Sequence, residues 1–208
     1  MHVPKSRIWL YATVALSGLA IDLATKSWMF HWLGMPGGRR FWVWTGILSF
    51  GTVLNEGALF GQGQGFGILF ICLSVVALLG IVYWLFRRRA AADLFLTVTL
   101  AAISGGIVGN LYDRAGLPGL AWHRPMQGHQ LGEPVYAVRD WIHFQILDLE
   151  TGKQHFDWPV FNIADCLLVC GVAALALHAY VLEPLRSRRE KQAAKAEGAT
   201  TKPSACAS

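Results

Sequence analysis

The sequence predicts a membrane protein of the all-α class: a bundle of four transmembrane helices with a small extracytoplasmic β-sheet. Three observations lead to this prediction. Of the 208 residues, 54% are hydrophobic and only 15% are charged, whereas ordinary soluble domains carry about 25% charged residues. Four apolar runs can cross a bilayer, because roughly 20 helical residues span a ~30 Å hydrocarbon core. One further segment is rich in the residue types that favour strands.

The apolar runs set the predicted spans, which cover about residues 8–30, 66–86, 94–111 and 160–182. The first run is longer than the apolar core of a typical signal peptide and carries Asp22 and Lys26. No small-residue cleavage site follows it, so we expect this segment to be retained as a span.

The basic residues indicate which way the spans cross. Eleven of the 18 Lys and Arg residues flank the spans on one side, including the short Arg87-Arg88-Arg89 turn, and seven lie on the other. The positive-inside rule then places both termini in the cytoplasm and residues 31–65 and 112–159 outside. The net charge of +5 does not predict a nucleic-acid partner, because the basic residues cluster at the ends of apolar runs.

The segments outside the spans differ in composition. Residues 39–65 are rich in Trp, Val, Ile, Phe and Thr and are punctuated by Gly, which predicts a small antiparallel sheet at the membrane interface. Residues 112–159 mix Pro, Gly, His and charged residues, which is typical of a water-exposed loop. We expect residues 1–185 to form one membrane domain and residues 186–208, rich in Ala, Lys, Ser and Thr, to form a disordered cytoplasmic tail.

Two aspartates, Asp140 and Asp165, are expected near the same membrane surface. A carboxylate at membrane depth is costly to bury, so it is by default a sign of function. Two neighbouring carboxyls cannot both ionise cheaply, and one of them retains its proton. The pair therefore suggests the shared-proton acid chemistry that aspartic proteases use.

Other polar residues fall at the same outer boundary. They are Asp22, Lys26, Asn55, Asn110, Asp113, Arg114 and Asn162. Each also has a structural interpretation: Asp22 and Lys26 can pair at i,i+4, Asn162 can cap the fourth span, and Arg114 is an adjacent charge partner for Asp113. Their coincidence at one depth favours a site.

The sequence predicts neither a metal nor a cofactor. The spacing of the loop histidines matches no tight zinc pattern, and Cys166 and Cys170 lack further ligands to complete a site. The histidines are His123, His129, His143 and His155.

Five motifs in order resemble the lipoprotein signal peptidase (signal peptidase II) family. They are Asp22-Leu23-Ala24-Thr25-Lys26, Asn55-Glu56-Gly57-Ala58-Leu59-Phe60-Gly61, Gly105-Gly106-Ile107-Val108-Gly109-Asn110-Leu111-Tyr112-Asp113-Arg114, Val138-Arg139-Asp140-Trp141 and Phe161-Asn162-Ile163-Ala164-Asp165. Each motif alone is weak, but five in family order across residues 20–182 are specific.

The resemblance implies a monomeric aspartyl endopeptidase of the bacterial inner membrane, with four spans and an extracytoplasmic β-cradle. Such enzymes need no cofactor, contact membrane lipid, and cut diacylglyceryl-modified prolipoproteins just before the lipidated Cys. The resemblance makes Asp140 and Asp165 the catalytic pair near the outer, periplasmic face. The pocket positions that it implies are Asp22, Lys26, Asn55, Gly106, Asn110, Asp113, Arg114, Asn162 and Ala164.

The chain departs from the family pattern in two places. The stretch between Arg114 and Asp140 is much longer than usual, and that after Asp140 is somewhat long, so Asp148 and Asp157 are alternative catalytic candidates. Asp140 is preferred because Val138-Arg139-Asp140-Trp141 keeps the apolar–x–Asp–aromatic form.

Two other classes of function are compatible with acids in a membrane. A transporter or proton-coupled channel predicts acids spread through the bilayer depth and often repeated halves, whereas these acids share one surface and no repeat is found. A non-enzymatic scaffold leaves the acid pair without a role.

Overall fold

The structure, a computed structural model, describes residues 3–57, 66–125 and 128–200. Its helices and strands follow one another in the order α1 (Lys5–Leu33), β1 (Phe41–Trp44), β2 (Leu48–Asn55), α2 (Gly67–Val82), α3 (Leu94–Arg114), β3 (Val138–Leu147), β4 (Gln154–Asp157), α4 (Ile163–Leu177) and α5 (Glu183–Thr200). A π-helical turn extends α2 to Arg87, and a second one joins α4 to α5.

Four of the helical stretches are long and apolar enough to cross a membrane: Lys5–Leu33, Gly67–Arg87, Leu94–Arg114 and Ile163–Ala193. The prediction of four candidate membrane helices with a small antiparallel sheet is therefore confirmed. The stretches differ in burial, since 61% of the most apolar window is buried in α3 but 11% or less in the other three. The helix α3 thus lies at the centre of the bundle.

Small residues let α3 approach its neighbours closely. A Cβ atom on Gly105 would lie 2.7 Å from the Ala15 carbonyl oxygen of α1, and one on Gly106 would lie 2.6 Å from the Ala164 carbonyl oxygen of α4. Close contact between backbones is typical of helices that pack in a membrane, where dispersion replaces the hydrophobic effect as the driving force. Two adjacent glycines thus allow α3 to pack against α1 and α4 at the same level.

The sheet connects the ends of these helices. Its four strands are antiparallel in the order β1-β2-β3-β4, with Val53 of β2 opposite Asp140 of β3. Phe161, two residues before α4, pairs with Ile142 of β3 through N···O hydrogen bonds of 2.8 and 2.9 Å. This pairing fastens the N-terminus of α4 beside β3.

The sheet is larger than the sequence predicted. The strand-rich segment 39–65 supplies β1 and β2, but β3 and β4 come from residues 112–159, which were predicted to be a loop; that prediction was wrong for these strands. Arg139, His143 and Gln145 give β3 a polar composition, yet all three are buried. Polar side chains can be buried when they have hydrogen-bond partners, so composition alone does not predict a strand of this kind.

The C-terminal segment also differs from its prediction. Residues 186–200, expected to be disordered, belong to the helix Glu183–Thr200. Ala, Glu, Lys, Arg and Gln are all strong helix formers, so a charged and Ala-rich composition fits a solvated helix as well as a coil. The rest of the predicted tail, 201–208, lies outside the described residues, as does the 58–65 part of the predicted β-rich segment.

Candidate active site

Two carboxyl groups meet where the sheet joins α4. Asp140 is the third residue of β3 and is only 1% exposed. Asp165 lies in the first turn of α4 and is partly accessible, lining a cavity. The strand pairing at Phe161 brings these two elements together, so the positions of both acids follow from backbone hydrogen bonds.

Three asparagines hold the two acids. The Asn162 amide donates to Asp140 Oδ1 at 2.5 Å, and Asn162 also forms a reciprocal capping box with Asp165, with N···O distances of 3.0 and 3.1 Å. Each acid receives one further amide, from Asn55 to Asp140 Oδ2 at 3.1 Å and from Asn110 to Asp165 Oδ1 at 2.9 Å. Both carboxyls are therefore held by hydrogen bonds to both of their oxygens.

The buried ammonium group of Lys26 contacts Asn110, one of the three asparagines. Lys26 Nζ lies 2.8 Å from Asp22 and 3.2 Å from Asp113, and it donates to Asn110 Oδ1 at 2.9 Å. The other Asp22 oxygen accepts the backbone N–H of Ala164 at 2.9 Å. Lys26 and its two acids are completely buried, so the network links α1, α3 and α4 inside the bundle.

The two arginines of the site have partners that their sequence positions did not predict. Asp113 is bound by Arg139, through the backbone N–H and the guanidinium at 2.8–3.0 Å. Arg114, the expected charge partner of Asp113, acts on that carboxyl through its charge and donates its hydrogen bond to the Gly57 carbonyl at 2.8 Å. Consecutive strand residues point to opposite faces, so Arg139 faces Asp113 while Asp140 faces the asparagines.

The charges of this network favour a retained proton. Four acids and three basic side chains take part, so full ionisation would leave one excess negative charge; they are Asp22, Asp113, Asp140, Asp165, Lys26, Arg114 and Arg139. Burial, together with the charge of Asp165, raises the pKa of the Asp140 carboxyl to about 8, despite the amides of Asn55 and Asn162 and the charge of Lys26, which lower it. Asp140 is thus the acid that keeps the proton near neutral pH.

A cavity of about 190 Å³ opens beside the acids. Polar groups from β2, α3 and α4 face apolar groups of the segment that leads into α4. Its lining consists of Asn55, Asn110, Arg114, Val138, Trp158, Pro159, Val160, Phe161, Asp165 and Leu168. The arrangement can hold a water molecule and an extended backbone next to an acid pair.

The residues singled out from the sequence lie together at this end of the bundle. Several also have the structural role considered as the alternative, since Asp22 pairs with Lys26 and Asn162 caps α4. Gly106 contributes by its absence of a side chain, which lets α4 approach. The structural interpretations of these positions are therefore observed, and their functional roles stay predictions.

The alternative acids lie elsewhere. Asp148 is partly exposed and accepts backbone N–H groups in the turn after β3, and Asp157 on β4 lies 2.6 Å from Nε2 of His143. Sequence reasoning missed Arg139 and the Gly57 carbonyl; the alternation of a strand through Val138-Arg139-Asp140-Trp141 was the available signal. Within residues 3–57, 66–125 and 128–200, no group of three or more His, Cys, Asp or Glu side chains is placed to hold a metal ion.

Comparisons with known proteins agree on one family. Residues 14–181 match the family described as signal peptidase (SPase) II. A lipoprotein signal peptidase of Rhodopirellula baltica is 40% identical over 178 residues, covering 85% of this chain and 74% of that protein. One from Rhodopseudomonas palustris is 30% identical over 175 residues, covering 82% and 91%.

A solved structure of a bacterial membrane enzyme has the same fold, with a TM-score of 0.61 at 22% identity, covering 88% of this chain and 92% of that one. The family match spans most of the chain, and the relatives align over nearly the same length. The chain therefore belongs to the signal peptidase II family of hydrolases, the membrane aspartic endopeptidases.

Proposed function

We propose that this protein removes the signal peptide from diacylglyceryl-modified prolipoproteins by cutting just before the lipidated Cys, with Asp140 and Asp165 as the catalytic pair. The observation that carries the proposal is the joint hold of Asn162 on both acids beside an open cavity. The family supports the prolipoprotein as substrate. The apolar surfaces of the surrounding helices suit a substrate that arrives through the bilayer.

We assign different roles to the two acids. Asp165 faces the cavity at the N-terminus of α4, where the helix dipole favours negative charge, so it acts as the base that takes a proton from water. Asp140 is buried and protonated, so it donates a hydrogen bond to the scissile carbonyl oxygen and stabilises the developing charge. The water oxygen bonds to the carbonyl carbon, the proton taken up by Asp165 passes to the leaving nitrogen, and the carbon–nitrogen bond breaks. This scheme requires no cofactor.

The remaining polar groups of the site act on the substrate or on the acids. Arg114 lines the cavity with its guanidinium bound to the Gly57 carbonyl, and it balances the charge of the acid pair. Asn55 and Asn110 orient the carboxyls. Lys26, Asp22 and Asp113 support the asparagines and do not line the cavity.

We place the protein in the bacterial inner membrane as a monomer, with both termini cytoplasmic, lipid around the spans and the acid pair near the periplasmic face. The acids lie at the C-terminal ends of α1 and α3 and the N-terminal end of α4, beside the sheet. The Arg87-Arg88-Arg89 turn, the start of α1 and the basic helix α5 lie at the other end. The excess of basic residues at that end supports this orientation.

Asp140→Asn and Asp165→Asn should each lower the rate of cleavage by roughly 10²–10⁴-fold, the usual contribution of a general acid or base. Purified variants would be assayed in detergent with a diacylglyceryl-modified prolipoprotein. Asp148→Asn is the matched control, since that acid lies in an exposed turn and should retain wild-type activity. Near-normal turnover by either of the first two variants would remove that residue from catalysis.

The rate of cleavage should fall on both sides of a pH optimum, because the active pair carries one proton. The alkaline limb should lie near pH 8, where Asp140 loses its proton. The Asn55 amide stabilises the charged form of Asp140, so Asn55→Ala raises the pKa and should move this limb to higher pH. The measurement is kcat/KM against pH for wild type and variant; a limb that stays in place or moves down contradicts the assignment.

A prolipoprotein that lacks the diacylglyceryl group should be a poor substrate. Its acyl chains partition into the bilayer with roughly 0.8 kcal/mol per buried CH₂ group, and this anchoring presents the scissile bond at the depth of the acids. Cleavage of the same precursor would be compared with and without its lipid. Equal kcat/KM values would indicate a general membrane protease.

Reporter fusions should show opposite sides of the membrane after Arg89 and after Lys153. The first position follows α2 at the basic end of the bundle, and the second lies in the turn between β3 and β4. A reporter that works only in the cytoplasm should be active at the first position alone. The same signal at both positions would refute the proposed orientation.

A further inference from the structure

The described parts of the long segment between α3 and β3, 115–125 and 128–137, fold against the site. Trp122 and Gly132 form a hairpin-like pair, with Gly132 N–H bound to the Trp122 carbonyl at 2.8 Å and Trp122 N–H bound to the Glu133 carbonyl at 2.9 Å. The Trp122 side chain is 1% exposed and packs with Phe30 of α1 and Leu54 of β2. This segment is thus anchored to the last turn of one span and to the end of the strand that carries Asn55.

His129 lies on this anchor and reaches the end of β2. Its ring stacks on the Trp122 ring with centroids 4.5 Å apart and an angle of 7° between the planes. Nε2 is 2.6 Å from Glu56 Oε1, and Nδ1 is 3.3 Å from Glu133 Oε2. A ring held on its face and at both nitrogens has little freedom, so it is a fixed support for the Glu56 carboxylate.

Glu56 lies between Asn55 and Gly57, and both of these neighbours contact residues of the site. Before it, Asn55 donates to Asp140 at 3.1 Å. After it, Gly57 donates its N–H to Asn55 Oδ1 at 3.0 Å and accepts the guanidinium of Arg114 at 2.8 Å. A displacement of Glu56 therefore moves both the amide that holds Asp140 and the carbonyl that holds Arg114.

We propose that His129 is a positioning residue for cleavage: through Glu56 it holds the turn 55–57 so that Asn55 stays on Asp140 and Gly57 stays on Arg114. The inference rests on the proposed function of Asp140. An isolated ion pair at the surface contributes little. This contact is only 28% exposed at His129 and 20% at Glu56, and it is backed by a buried Trp, which gives it the rigidity that positioning requires.

The first test is the kinetic effect of His129→Ala on cleavage of a diacylglyceryl-modified prolipoprotein by the full-length protein in detergent. We expect kcat to fall by roughly tenfold to a hundredfold, the effect of a small misplacement of a catalytic group, with KM changed by less than about threefold. His129→Gln should recover most of the lost kcat, because its amide can still donate to Glu56. His123→Ala, in the same segment and exposed, is the matched control and should behave as wild type.

The second test separates positioning from a structural role. If His129 acts through Asn55, then His129→Ala should shift the alkaline limb of the pH profile upward, as Asn55→Ala does. The double variant should be shifted no further than Asn55→Ala alone, because both changes remove the same hydrogen bond. Thermal unfolding of each variant checks that the fold is kept.

The outcomes distinguish the inference from the proposed function. A wild-type kcat and pH profile for His129→Ala, in a preparation whose wild type cleaves, refutes the role of His129 alone. An additive shift in the double variant, or a lower kcat with an unmoved alkaline limb, also refutes it. A wild-type protein that fails to cleave the lipidated precursor refutes the proposed function, and with it the positioning role.

Discussion

The burial of the Lys26 ammonium group is the constraint on which the rest of this structure depends. A charge removed from water has to be paired, and breaking such a pair by removing one partner costs about 3–5 kcal/mol. The partners of Lys26 lie within its own helix, at Asp22, and on α3, at Asn110 and Asp113. The relative positions of α1 and α3 are therefore constrained by the two contacts of this nitrogen atom with Asn110 and Asp113.

Two partners of Lys26, Asp113 and Asn110, also help to position the elements that carry the two acids. Asp113 also binds Arg139, so the strand β3 is aligned with the end of α3 before any catalytic group is considered. Asn110 also binds Asp165, so the start of α4 is aligned with the same helix. The glycines of α3 make room for this polar layer, since a Cβ atom on Gly109 would overlap the carboxylate of Asp22. Small residues and buried charges are thus parts of one packing solution.

Much of this arrangement could be predicted from the sequence, because apolar runs report helices directly and the polar motifs lie at their ends. The strand β2 could also be predicted, because its Val, Phe and Thr residues favour strands. The strand β3 could not, because its buried Arg139, His143 and Gln145 have the composition of a loop. The hydrogen-bond partners of Asp113 and Arg114 could not be predicted either. They come from β3 and from just after the end of β2, which are distant in sequence. Contacts between residues distant in sequence depend on the fold. The alternation of side chains along a strand predicts only which residues share a face.

The dependence of the acid pair on Asn162 has a consequence for biogenesis. Neither Asp140 nor Asp165 is held by its own element alone: the amide that joins them caps α4, the fourth candidate span in chain order. A nascent chain with three spans inserted has β3 and most of the polar layer, but it lacks the second acid and the amide that orients the first. Under the proposed roles of Asp140 and Asp165, the acid pair is therefore completed in one step, when α4 docks against β3 and α3.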